Sequence, residues 1–293
     1  MADSRSVAMI GLGIMGGAIA RNLLAAGFSV SGYDLDAGKM ATLARDGVRG
    51  ANSAVGAVGG ASIALTSLPS VEALDDTVAM LVAASQPGLV VVEISTFPIE
   101  AKEAARDRLA AAGMMLLDCP LSGTGAQAVT RDLAVYASGE REAYDRAEPV
   151  FRGFARASHF LGAFGNGSKM KFIANLLVAV HNVASAEAMV LGMKAGLDPD
   201  AIVKVIASGA GTSRVFELRA PLMAKRDYAP TMKIDIWQKD MAIIAEFARA
   251  LGVTLPTFAA SAPLYDAAQA AGLGGDDTAA VAEIIAAQAG LKR

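Results

Sequence analysis

Cysteine is nearly absent from the chain: of 293 residues only Cys119 carries a thiol. That excludes an intrachain disulfide framework and fits a reducing compartment, so a cytoplasmic location is expected. Histidine is almost as scarce. His159 and His181 are the only two, and neither stands at metal-ligand spacing from a Cys, Asp or Glu, so zinc chemistry has no ligand set. A G-x-S-x-G elbow is missing, and two isolated histidines assemble no Ser/His/Asp arrangement for hydrolysis. Charge is sparse at 19%, with 26 basic against 29 acidic residues and a formal net charge of -3. The basic residues are scattered, which argues against nucleic acid as a partner. No uninterrupted apolar run approaches the roughly 18 residues that span a bilayer, so no membrane insertion is expected. The opening MADSRSVAMIGLG has no basic segment ahead of an apolar core and cleavage site, and reads as a first β-strand running into glycines. Pro/Ser-rich linkers, repeats and low-complexity tracts are also lacking.

What is present is apolar. A hydrophobic fraction of 54% excludes disorder, and the length suits one large or two ordinary domains. From residue 6 to about 162, short apolar runs alternate with helical patterns, the signature of βα units and a mainly parallel sheet. Seven or eight strands are expected, near 6–10, 29–34, 61–68, 89–95, 114–120, 133–138 and 158–162, with a weak one near Val48. After Gly167 the alternation stops, and helices are expected over 168–195, 198–208, 234–251, 256–271 and 277–290. AGLDPD (195–200) closes one helix at glycine and opens the next through an aspartate cap with Pro199 in its first turn. The reading is an α/β domain over 1–163 followed by an all-α domain over 164–293, joined at the start of a long helix.

The stretch VAMIGLGIMGGAIARNLLAAGFSVSGYDLD sets Gly11, Gly13 and Gly16 as G-x-G-x-x-G directly after the first strand and at the opening of a helix. A second strand and an acidic residue at its end, Asp34, follow in the order a Rossmann-type dinucleotide site requires. Gly11 permits the tight turn, Gly13 lets backbone amides approach a pyrophosphate, and Gly16 lets the helix pack closely on the strand. A carboxylate at Asp34 accepts hydrogen bonds from a ribose hydroxyl and repels a phosphate there. This favours NAD over NADP.

Few other residues offer chemistry. His181 lies ten residues beyond Lys171, rotated away from its face, and reads with His159 as structural. The 13 methionines follow helix cores and read as packing. GNGSKMKFIANLL (165–177) sets Lys171 and Asn175 at i and i+4, one above the other on a helix face. That face is either wet or a site. A lysine desolvated beside a cationic nicotinamide has its ammonium form disfavoured, which suits an acid/base group.

Taken in chain order, GLGIMG, DCPLSGTGAQAVTRDLAVYASG (118–139), GNGSKMKFIAN (165–175) and WQKDM (237–241) resemble the β-hydroxyacid dehydrogenase family, which includes 3-hydroxyisobutyrate dehydrogenase, tartronate semialdehyde reductase and L-threonate dehydrogenase. The resemblance implies a Rossmann-type domain, an all-helical domain, an active site in the cleft between them, and a homodimer or homotetramer. It implies that Lys171 is the general acid/base and that Asn175 orients a small hydroxy-acid substrate. It further implies that Ser122, Gly123 and Thr124 line the substrate segment, and that Gly11, Leu12, Gly13, Ile14, Met15, Gly16, Asp34, Leu68, Pro69, Thr96 and Lys239 serve the cofactor, with Ser95 beside Thr96. Bland alternatives stand beside these roles: an exposed helix lysine for Lys171, as Lys169 nearby suggests, a strand-end turn for Ser122 and Gly123, and a solvated helix pair for Lys239 and Asp240.

Departures from the family pattern fall in the substrate segment. Thr124 replaces a second glycine, narrowing the space while supplying a hydroxyl, and Arg131 with Asp132 replaces a Gly-Thr pair and is expected to form a surface salt bridge. The likeness of GYDLD and DIWQKDM to the threonate branch of the family makes a four-carbon sugar acid of that type the expected substrate. The alternatives are a tartronate semialdehyde or glyoxylate-type reductase, an imine reductase, which generally lacks the lysine, and a non-catalytic NAD-binding regulator.

Overall fold

In the computed structural model, which describes residues 5–291, the chain divides into two compact units, Met1–Lys171 and Phe172–Arg293. The first runs β1 (Ser6–Ile10), α1 (Ile14–Ala25), β2 (Ser29–Tyr33), α2 (Ala37–Arg45), β3 (Arg49–Gly50), α3 (Ala54–Val58), β4 (Ile63–Thr66), α4 (Val71–Ala84), β5 (Val90–Glu93), α5 (Ile99–Ala111), β6 (Met115–Asp118), β7 (Leu121–Ser122), α6 (Gly125–Val129), β8 (Ala134–Ala137), α7 (Arg141–Phe154) and β9 (Ala157–Phe160). Six strands form one sheet in the order β3-β2-β1-β4-β5-β6, every pairing parallel. The order reverses between β1 and β4. In such sheets a ligand crevice lies there, outside the carboxyl ends of the strands.

The apolar runs read as strands because both sheet faces are covered. Val7 and Met9 of β1 point into a core with Ile19, Leu23 and Phe151, while Ala8 and Ile10 point into another with Leu74, Val78 and Leu109. A strand buried on both faces loses its polar alternation. The expectation of seven or eight strands in one mainly parallel sheet needs correction: among the described residues nine strands form two sheets, the second ordered β7-β8-β9. After β6 there is no helical crossover. The chain turns at Gly123, where φ is +130°, so β8 returns antiparallel to β7, and β9 then adds parallel to β8. At two residues, β7 is too short to leave a sequence pattern.

The helix α8 (Asn166–Lys194) begins in the first unit and continues through the second, followed by α9 (Pro199–Ala207), α10 (Arg214–Lys225), α11 (Ile234–Ala250), α12 (Pro256–Ala268) and α13 (Val281–Gln288), with a π turn at Gln269–Leu273 and a 3-10 turn at Thr278–Ala280. The cap read from AGLDPD is present, Asp198 accepting from the Ala201 N–H at 2.9 Å. Sequence periodicity missed α10, because Pro221 inside it reads as a breaker. The helix persists because Ser213 caps it, Phe216, Ala220 and Met223 are buried, and Arg219 is paired with buried Asp277 at 3.2 Å.

Inside the second unit Asn182 Nδ2 donates to Tyr265 Oη and to the Thr278 carbonyl, each at 2.9 Å, and Tyr265 Oη donates to the Ala179 carbonyl at 3.0 Å. Burial pushes the Tyr265 phenol up to about 12. By length and composition α8 is apolar enough to cross a membrane, so the expectation that no such segment exists holds only for uninterrupted runs. Its Asn175 and Asn182 are buried and hydrogen-bonded within the second unit.

Candidate active site

The glycine loop sits at the carboxyl end of β1. Gly11 has φ +88°, and a Cβ there would lie 2.1 Å from the Ser67 carbonyl oxygen; a Cβ on Gly16 would lie 1.9 Å from that of Gly11. Neither position admits a side chain. Over Gly13 the space is open, with nothing within 4 Å of a Cβ, as close backbone approach by a ligand requires. Asp34 Oδ2 accepts from the Leu12 N–H at 2.7 Å, and Oδ1 accepts from the Asp36 N–H at 2.9 Å with Lys39 Nζ at 3.5 Å. The carboxylate is thus tied to the loop. The open backbone over Gly13 and a carboxylate fixed beside the loop suit a dinucleotide.

The next two strand ends are linked to each other. Leu68 N–H donates to Ser95 Oγ at 2.8 Å, and Pro69, which follows Leu68, is exposed. The helix α6 lies against α1: a Cβ on Gly125 would meet Ile14 Cγ2 at 2.4 Å, and Asn22 Nδ2 donates to the Ala128 carbonyl at 2.7 Å. Ser122 and Gly123 form the turn that ends β7. Thr124 begins α6, its N–H donating to Gln127 Oε1 at 3.0 Å with its hydroxyl 3.4 Å from the same oxygen, so the hydroxyl is drawn into the helix cap. Arg131 donates to the Arg152 carbonyl, and Asp132 binds Arg156 at 2.9 Å, so each of the two residues reaches across to the end of α7. Arg131 adopts φ +61°, a conformation that suits the glycine the family usually has there.

The start of α8 is built on buried charge. Asp118 at the end of β6 accepts from the Ser168 N–H and Oγ, each at 2.7 Å. Lys102 Nζ lies 2.8 Å from both Asp118 Oδ1 and Glu93 Oε2, all three side chains fully buried. Burial alone would lower the Lys102 pKa, but the Asp118 and Glu93 carboxylates outweigh it and hold it above the usual lysine value. Cys119 beside them is buried, and desolvation with the Asp118 charge pushes its thiol well up, leaving it inert.

Three residues past Ser168, Lys171 is buried, 9% exposed, whereas Lys169 is exposed. Asn175, one turn on, is also buried, and its Nδ2 donates to Asp240 Oδ2 at 2.9 Å. Asp240 is buried as well, with Lys239 Nζ 3.3 Å from its Oδ1. The pair is therefore not a merely solvated one. His159 and His181 join none of these groups, and among the described residues no cluster of three His, Cys, Asp or Glu side chains could hold a metal. Sequence reasoning assigned no role to Glu93, Lys102, Asp118 or Ser168, and named Asp240 only as half of a solvated pair with Lys239. The available signal was an acid closing an apolar parallel strand, in VVVE and MLLD.

A glycine-loop Rossmann-type unit followed by a helical unit defines a dinucleotide-dependent oxidoreductase. Two family models match in succession: the NAD binding domain of 6-phosphogluconate dehydrogenase over residues 6–163, and the NAD-binding region of NADP-dependent 3-hydroxyisobutyrate dehydrogenase over residues 165–285. The chain is 39% identical to L-threonate dehydrogenase of Cupriavidus necator over 288 residues, covering 96% of each. It is 33% identical to NAD-dependent L-serine dehydrogenase of Pseudomonas aeruginosa, covering 89% of this chain and 91% of that one. A crystal structure of 3-hydroxyisobutyrate dehydrogenase from Salmonella typhimurium superposes with a TM-score of 0.87 at 32% identity, covering 95% of this chain and 99% of that one. The chain belongs to the β-hydroxyacid dehydrogenase family and is an NAD(P)-dependent hydroxyacid dehydrogenase.

Proposed function

We propose that the protein catalyses reversible oxidation of a small 3-hydroxy acid, a four-carbon sugar acid of the threonate type, with NAD preferred over NADP. The observation that carries this reading is buried Lys171 on α8, one turn before buried Asn175, in a chain 39% identical to an L-threonate dehydrogenase. When bound, NAD supplies the hydride-accepting ring. Lys171 takes the proton of the substrate hydroxyl as the hydrogen on that carbon leaves as hydride, giving a carbonyl. Asn175, whose Nδ2 is occupied by Asp240, turns Oδ1 toward a substrate hydroxyl as acceptor. Ser122 and the Gly123 backbone hold the carboxylate, Thr124 narrows the site, and Lys239 and Thr96 serve the cofactor side.

The division of labour follows the same reading: 1–163 binds the dinucleotide, and 164–293 binds the substrate and oligomerises. Exposed Leu191, Val205, Leu251 and Val253 support a homodimer or homotetramer, to be tested by light scattering, and the single buried Cys119 supports a cytoplasmic location.

The test is NADH formation across C3 to C6 hydroxy acids, L-serine included, with wild type and Lys171→Ala. Turnover of L-threonate should exceed the others. Lys171→Ala should lose roughly 10²- to 10⁴-fold in kcat while NADH affinity holds. Wild-type turnover by Lys171→Ala would end the acid/base assignment, and turnover of 3-hydroxyisobutyrate or L-serine alone would end the substrate assignment.

A further inference from the structure

The ammonium of Lys102 donates to Asp118 Oδ1 at 2.8 Å and to the Ser95 carbonyl at 2.7 Å, and it is ion-paired with Glu93 Oε2 at 2.8 Å. Each acceptor is held from a second side. Glu93 Oε1 accepts from the Ser95 N–H at 2.9 Å, and Ser95 Oγ accepts from the Leu68 N–H at 2.8 Å. Asp118 takes both donors of Ser168 at 2.7 Å and the Ser138 hydroxyl at 3.2 Å, while Ser138 Oγ accepts from the Gly167 N–H at 2.9 Å. One buried polar chain thus runs from the loop after β4, through the ends of β5 and β6, to the first turn of α8.

Stability does not explain such a cluster. Charges removed from water lose hydration that their mutual attraction barely returns, and apolar side chains of similar volume commonly serve a core as well or better. What the cluster supplies is geometry. Asp118 acts as a cap contributed from another element, placing negative charge on the orphan N–H groups at the positive end of α8. Gly167 removes the remaining freedom, since a Cβ there would lie 2.3 Å from the Tyr136 carbonyl oxygen and 2.6 Å from that of Asp118. The helix is clamped by backbone on one side and by a buried carboxylate on the other, and Lys171 follows Ser168 by less than one turn.

We propose that Lys102, Asp118 and Ser168 are positioning residues that set where Lys171 stands relative to the Ser95–Thr96 strand end. This rests on Lys171 being the acid/base group. Misplacing a reacting group by about 1 Å costs on the order of 10²-fold in rate, so the effect belongs in kcat and not in dinucleotide affinity.

The experiment is a double-mutant cycle. Ser168→Ala and Lys102→Met are each made in wild type and in Lys171→Ala, with kcat and KM measured for the hydroxy acid and NADH affinity followed by fluorescence titration. In the wild-type background kcat should fall roughly tenfold for Ser168→Ala and about 10²-fold for Lys102→Met, with NADH affinity within about twofold, and Ser168→Thr should restore most of the loss. In the Lys171→Ala background the same changes should leave the residual rate unaltered, because they act through the missing amine. Lys102→Met leaves two buried carboxylates without a cation; should it fail to fold, Ser168→Ala, which removes one hydroxyl, decides the matter. An unchanged kcat for folded Ser168→Ala, or equal fold-losses in both backgrounds, overturns the positioning role while the acid/base reading stands. Wild-type turnover by Lys171→Ala alone overturns that reading, and this one with it.

Discussion

At the scale of single residues, Asp34 shows how a sequence position acquires a more exact role. Its carboxylate accepts from the Leu12 N–H of the glycine loop, and Lys39 approaches at 3.5 Å. On the proposed cofactor reading, removing it deletes an acceptor for a ribose hydroxyl and leaves a nearby ammonium that attracts a phosphate. Asp34→Ala should therefore reduce the NAD over NADP ratio of kcat/KM by about tenfold or more, the equivalent of one hydrogen bond to a charged group. Steady-state kinetics with both cofactors checks this, and a wild-type enzyme already favouring NADP would contradict it. Lys171 and Lys169 make the complementary point. Two residues apart on one helix, they are alike in sequence, yet one is buried and the other exposed. Burial is a property of neighbours, which no single residue encodes.

At the scale of elements, α8 is the decisive piece. Its helical character was legible from residue 168 onward, because spacing within a helix is local. Its anchoring was not legible, because Asp118 reaches Ser168 from 50 residues away and Ser138 reaches Gly167 from 29, while Lys102 acts through Asp118. Gly167→Ala tests the anchoring directly. The added methyl group meets two carbonyl oxygens at 2.3 and 2.6 Å, neither of which can move without disturbing a strand. The expected destabilisation is about 1–3 kcal/mol, read as a lowered Tm in thermal unfolding; an unchanged Tm would show that the turn shifts freely. For α10 the lesson runs the other way. Pro221 argued against it locally, and the burial of Phe216, Ala220 and Met223 with the Arg219 ion pair outweighed that preference.

At the scale of the whole molecule, the second unit depends on a buried aspartate remote from the proposed chemistry. Burial disfavours the charge on Asp277, but Arg219 and the donors from Thr231, Ala279 and Met232 outweigh it and hold the carboxyl below its ordinary value of 3.8. A folded pKa below the unfolded one means that the stabilisation is complete above the unfolded value and is lost as pH falls through the folded one. The wild-type Tm should therefore drop more steeply below about pH 4 than that of Asp277→Asn; parallel curves would refute the linkage. Asp277→Ala leaves Arg219 buried without its partner and should cost about 3–5 kcal/mol, measurable by urea titration.

By itself the sequence determined the βα alternation, the glycine loop with Asp34, the change to helices after Gly167, and the Lys171/Asn175 pair, because each depends on residues within a turn or two of one another. Only the tertiary structure decided that β7, β8 and β9 leave the main sheet, that Thr124 spends its hydroxyl on a helix cap, that Arg131 and Asp132 reach Arg152 and Arg156, and that Lys102 pairs with the Asp118 that caps α8. Those outcomes depend on pairings between residues far apart in the chain, and desolvation makes such pairings strong or costly according to a geometry that local pattern does not carry.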